Sequence, residues 1–151
     1  MKNAEIISEG SNHIAIELGK IDELIDYLYM HPKRNQEVKG KVFLGEILKS
    51  SCAEISFTVI PPHTSMPFMH QHKMHEEVYI FLKGSGQFQV DNSVFDVSEG
   101  SVIRISPDGK RIYRNNSDSY LTFICIQNHI NSIKNYNVED GYLAEGEILL
   151  K

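Results

Sequence analysis

The stretch from His70 to Gly84, His-Gln-His-Lys-Met-His-Glu-Glu-Val-Tyr-Ile-Phe-Leu-Lys-Gly, constrains the fold most, because the same residues carry metal-ligand chemistry and strand chemistry. Strand side chains alternate faces with a period of two, so a His-x-His pair in extended backbone turns the imidazoles of His70 and His72 to one side. After an interruption the chain resumes as Glu77-Val78-Tyr79-Ile80-Phe81-Leu82, rich in β-branched and aromatic residues and closed by Gly84-Ser85-Gly86. Glu77 opens that second strand, where its carboxylate can face the two imidazoles across a tight turn. Two imidazoles and one carboxylate suit a divalent ion such as Fe, Mn, Ni, Co or Zn. His75, in the turn, is a further candidate ligand.

The surrounding chain reads as short strands: Val42–Leu48, Glu54–Ile60, Glu77–Leu82, Gln87–Val90, Val94–Val97, Val102–Ile105, Arg111–Arg114 and Leu121–Gln127. Breaks such as Asp91-Asn92-Ser93, Pro107-Asp108-Gly109 and Asn115-Asn116-Ser117-Asp118 separate them. Regular short strands with no helix between them predict an all-β antiparallel sandwich or barrel. Alternation in Glu54–Ile60 puts Ile55, Phe57 and Val59 on one face, predicted to line the interior with Glu77, Tyr79 and Phe81. Val78, Ile80 and Leu82 on the opposite face are equally apolar and need a cover; a homodimer is expected.

Before the strands, Ile14–Leu18 alternates like an edge strand, and Ile21, Leu24, Ile25 and Leu28 follow helical spacing up to Pro32, predicting one short amphipathic helix over Ile21–Met30. Residues 33–37 read as a solvated link. After the strands, Ile130, Ile133, Tyr136, Val138, Tyr142 and Leu143 are scattered among polar residues, as in a tail packed on the outside. The expected organisation is one globular unit: an N-terminal arm and helix over 1–40, a barrel over 41–127 and a peripheral tail over 128–151.

His70, His72, Glu77 and Gly84 fit the first motif of the cupin family, which this chain resembles from about Val42 to Gln127; Thr64 stands where that motif has its leading Gly. The stretch Gly100–Asn115 lies over the second motif without a gap, with Gly100 and Asn115 matching at its ends. Ser106, Asp108 and Arg111 stand where the family has Pro, Gly and His. The resemblance implies a double-stranded β-helix, or jelly-roll, barrel with a metal inside, held by His70, His72 and Glu77. The family's fourth ligand would be the His that Arg111 replaces.

A guanidinium donates only and stays charged, so Arg111 inside a barrel must meet an anion. Glu77 is one choice, giving a salt bridge in the metal's place; a small anionic ligand is the other, with Arg111 as its anchor. Tyr79 and Tyr113 are the candidate catalytic groups. His63 is placed near the pocket mouth, while His13, His31 and His129 lack companions at ligand spacing.

A net charge of −5 with no basic run argues against nucleic acid and anionic membrane and in favour of a small-molecule ligand. The first residues lack a signal-peptide pattern and no segment has the length of a membrane span, so a cytoplasmic location is expected. Cys52 and Cys125 are expected as buried free thiols. Three functions remain open: a metal-dependent enzyme of dioxygenase or isomerase type, a non-catalytic binding module, and a metal-free sugar isomerase or epimerase.

Overall fold

The computed structural model describes residues 2–32, 35–133 and 141–150. In chain order its strands are β1 (Glu5–Gly10), β2 (His13–Glu17), β3 (Leu28–His31), β4 (Gln36–Lys39), β5 (Lys41–Phe43), β6 (Ala53–Ile60), β7 (Thr64–Ser65), β8 (His75–Lys83), β9 (Ser85–Val90), β10 (Ser93–Ser98), β11 (Val102–Ile105), β12 (Arg111–Asn115) and β13 (Leu121–His129). Five strands in the order β11-β8-β13-β6-β5 form one sheet and four in the order β10-β9-β12-β7 the other, every named pair antiparallel. Neighbours distant in sequence thus lie side by side, as a double-stranded β-helix requires.

Period-two alternation on β8 and β13 builds the core between the sheets. Tyr79, Phe81, Phe123, Cys125 and Leu121 point inward and meet Phe88, Val97 and Ile105. Their rings pack edge-on or tilted, as Phe81 does on Phe123 at 5.3 Å and Tyr79 on Phe88 at 5.0 Å. Gly84 turns β8 into β9 with φ of +83°, and a Cβ there would meet the Tyr120 carbonyl oxygen at 2.2 Å, so only glycine fits.

β6 departs from its predicted facing. Ile55, Phe57 and Val59 join a second apolar cluster with Leu24, Tyr27, Val42 and Leu44, on the side away from the barrel core. Ser56 and Thr58, both buried, therefore point inward. Both sides of β6 are covered, so its apolar side could face the N-terminal segment and leave the hydroxyls to the barrel.

The expected helix over Ile21–Met30 is a 3-10 turn at Ile21–Asp26. Tyr27 is extended and Leu28–His31 pairs with Gln36–Lys39, making part of the expected solvated link a strand. A helix of that length is marginal by itself. Burial of Tyr27, whose hydroxyl donates to the Leu18 carbonyl at 3.1 Å, together with the β3–β4 ladder, outweighs the helical spacing. Of the expected edge strand Ile14–Leu18, residues 14–17 fall in the separate β1–β2 hairpin and Leu18 follows it, and Ile16 and Leu18 pack on the second cluster.

Lys33, Arg34, Tyr136 and Val138 lie outside the described residues. Residues 141–150 have no regular structure and are exposed, Leu143 fully so, which differs from the expected packed tail. Cys125 is buried but Cys52 is exposed, correcting the expectation that both are buried; both are free thiols. Among the described residues no helix is long and apolar enough to cross a membrane.

Candidate functional site

Arg111 brings the two motif regions together through its backbone. Its carbonyl accepts from the His70 amide at 3.1 Å and its own amide donates to the His70 carbonyl at 2.9 Å, while the His72 amide donates to the Pro107 carbonyl at 3.1 Å. These bonds hold the His-x-His segment extended. The rings of His70 and His72 lie 5.5 Å apart and nearly perpendicular.

Glu77 enters from β8. One ligand atom each from His70, His72 and Glu77 lies within 4.8 Å of the others, so the predicted ligand set does converge. His75, by contrast, is exposed and stands outside this cluster, its ring edge-on to His72 at 6.3 Å and to His129 at 5.9 Å. His63 is exposed and bonded to Asp118 at 2.8 Å.

The two oxygens of Glu77 have different partners. Oε2 accepts from Arg111 Nε at 2.9 Å, Arg111 Nη2 at 2.6 Å and the Tyr79 hydroxyl at 2.7 Å. Oε1 lies 2.8 Å from the amide nitrogen of Gln127 and 3.0 Å from Nε2 of His72. Burial opposes the charge on Glu77, but the bonds from Gln127 and Tyr79 and the Arg111 guanidinium outweigh it and hold the carboxyl at about 2.

Of the two anions expected for Arg111, the structure supplies Glu77, but the pairing engages Oε2 alone and leaves Oε1 on the side of His72, so the salt bridge stands behind the His-His-Glu set and not in its place. The remaining guanidinium nitrogen donates to the Gly109 carbonyl at 2.8 Å and points to that of Pro107 at 3.4 Å. Arg111 is wholly buried, with each of its three side-chain nitrogens hydrogen-bonded inside the protein. It is correctly placed to orient the carboxylate and poorly placed to anchor a ligand, which corrects its assignment as the anion anchor.

Burial, aided by the Arg111 charge, lowers His70 to about 4 and keeps the ring neutral, the form that ligates metal. Its Nδ1 is buried with no hydrogen-bond partner. A neutral imidazole with a buried nitrogen left unpaired, grouped with a second imidazole and a carboxylate, is a donor set that fits a metal ion. The Tyr79 hydroxyl is committed to Glu77, and burial raises the pKa of both Tyr79 and Tyr113 above the ordinary tyrosine range.

Lys41 and Gln127 were not predicted. Lys41 shares the inward side of Ser56 and Thr58, and its ammonium donates to their hydroxyls at 3.0 and 2.7 Å. It makes no ion pair among the described residues, and burial lowers its pKa. Gln127 sits across from Glu77 on β13. It also lines an open depression of about 630 Å³ with Lys49, Cys52, Glu54, His75 and His129, so this wall of the site reaches solvent through one side chain.

Two facing antiparallel sheets with a His-His-Glu cluster between them define a double-stranded β-helix protein of the kind that carries a ligand set inside its barrel. The chain belongs to the cupin superfamily: the cupin domain family matches residues 56–127. It is 32% identical over 98 residues to an uncharacterised protein of Methanocaldococcus jannaschii, covering 65% of this chain and 71% of that one. A cupin protein of Bacteroides fragilis is 36% identical, with a TM-score of 0.66 over 70% of this chain and 89% of that one. A predicted oxalate decarboxylase of Thermotoga maritima has the same fold at 18% identity, with a TM-score of 0.59 over 74% of this chain and 97% of that one.

Proposed function

We propose that this protein binds a divalent metal ion through His70, His72 and Glu77 and presents it to a small anionic organic ligand. The observation that carries the proposal is the convergence of the three ligand atoms, with a buried, unused nitrogen on His70. A bound ion would act there as a Lewis acid toward a ligand oxygen.

The chain's own residues do the rest. Arg111 and Tyr79 fix Oε2 of Glu77, so the other oxygen stays turned to the imidazoles. Hydrogen bonds to the far oxygen of a ligating carboxylate hold it in place. Lys41, with hydroxyls for neighbours and no carboxylate, is the cation left for the ligand's charge. A metal-free mechanism with Tyr79 as the acid has less support, because that hydroxyl is engaged and hard to ionise.

Elemental analysis after stripping and reloading with Fe, Mn, Co, Ni or Zn tests the metal site. Near-stoichiometric uptake by wild type and its loss in His72→Ala are expected. Wild type that takes up none of the five overturns the proposal.

A further inference from the structure

Three atoms of the site form a small triangle. Nε2 of His72 is 3.0 Å from Oε1 of Glu77, Oε1 of Glu77 is 2.8 Å from the amide end of Gln127, and that end is 3.0 Å from Nε2 of His72. Hydrogen bonds cannot satisfy all three edges. With the amide nitrogen inward, Gln127 donates to both neighbours, and the imidazole lone pair is left against the carboxylate. A protonated Nε2 instead sets two donors against each other. With the amide oxygen inward, two oxygens oppose along the 2.8 Å edge, because Glu77 is held ionised by its partners on Oε2.

A cation at the triangle removes the conflict, since all three groups can then present lone pairs. The dimensions agree. Donors at right angles around an ion with bonds of about 2.1 Å lie about 3.0 Å apart, whereas tetrahedral donors at that bond length lie about 3.4 Å apart. Edges of 2.8 to 3.0 Å therefore match one face of an octahedron.

We propose that Gln127 is itself a metal ligand, through its amide oxygen after a half-turn about the last side-chain bond, and that the site selects ions that accept octahedral geometry over zinc. This rests on the metal site proposed above and extends it to a residue of β13. Amide nitrogen and oxygen are nearly equivalent in shape, so the half-turn needs no repacking. The second cupin motif has Arg111 where a ligand is expected, and the missing donor comes from the strand opposite Glu77. Gln127 also borders the open depression.

Titrating metal-free wild type, Gln127→Leu and Gln127→Glu with Co²⁺, followed by calorimetry and visible absorption, tests this. The expected result is a loss of affinity on the order of 10- to 100-fold in Gln127→Leu. Its cobalt bands should also intensify as coordination falls, a change that a merely structural role would not produce. Gln127→Glu, which keeps an oxygen at that place, should bind with wild-type band intensity and guards against misfolding of the leucine variant. Equal affinity and spectra in wild type and Gln127→Leu, or loss of binding in Gln127→Glu, overturn the inference and leave the His-His-Glu site standing. Wild type that binds no Co²⁺ overturns both.

Discussion

Along β8 the inward side chains run Glu77, Tyr79, Phe81, and the barrel interior changes with them from carboxylate through phenol to phenyl. At the Phe81 end Phe88, Phe123 and Leu121 are at most 1% exposed and make only apolar and ring contacts. At the Glu77 end a buried carboxylate is hydrogen-bonded to buried Arg111 and Tyr79 and to half-buried His72 and Gln127, with half-buried His70 completing the cluster and Lys41 bonded to the hydroxyls of Ser56 and Thr58. Burial stabilises at one end because nothing needs water. At the other it stabilises only while every charge keeps its partner, so each end should fail in its own way.

The largest effects come from breaking either end. Phe123→Ala removes a ring touching Tyr79, Phe81 and Tyr113 and should cost about 3–5 kcal/mol, with metal affinity unchanged. Arg111→Met should cost a similar ~3–5 kcal/mol by leaving Glu77 buried and uncompensated. The contrast appears in the double variant: adding Glu77→Leu to Arg111→Met should recover much of the loss, as an apolar pair replaces an ionic one. Denaturant unfolding measures all three. If the double variant is as unstable as Arg111→Met, the charge clamp is not what holds that end.

An intermediate effect is acid sensitivity confined to the Glu77 end. His70 has an ordinary value of 6.5 and is held near 4 when folded, so as pH falls from 6.5 towards 4 the unfolded chain takes up a proton that the folded chain refuses. Glu77 is held near 2 against 4.5, so its contribution is present above 4.5 and is lost as pH falls from there towards 2. Both shifts make stability of the metal-free protein fall with acid. His70→Asn should flatten the upper limb, Glu77→Gln the lower, and Phe123→Ala neither. Thermal midpoints measured across that range that show the same slopes in all variants would contradict the division.

The sequence made β8 to β13 readable because each has a clear alternation or a marked turn, and the ligand set because its spacing is local. What stayed hidden depended on partners far along the chain. On β6 the apolar side was legible, but nothing local says that it faces Leu24 and Tyr27 instead of the barrel. Lys41 occupies a three-residue edge strand too short to show alternation, and its neighbours Ser56 and Thr58 are known only through the register. The inward parity of Gln127 with Cys125 and Phe123 was a usable signal; its place opposite Glu77 was not, since register is a tertiary property. The identity of Arg111's anion was likewise left to the sheet that faces β8.

The smallest stability effect is the most informative about ligand binding. Lys41 is a cation whose burial lowers its pKa, and its company is two hydroxyls and the Phe43 ring, 4.7 Å away, with no carboxylate in ion-pair contact among the described residues. Such a group is unfavourable for folding, so Lys41→Met should leave stability unchanged or raise it by roughly 1 kcal/mol. A cation placed at a cost to stability points to a task performed when something binds. Small carboxylates or phosphate should therefore raise the thermal midpoint of metal-loaded wild type by mass action and leave that of loaded Lys41→Met unmoved. A clear loss of stability in Lys41→Met, with the anion response intact, would make Lys41 part of the structural framework and return the anion to another wall of the barrel.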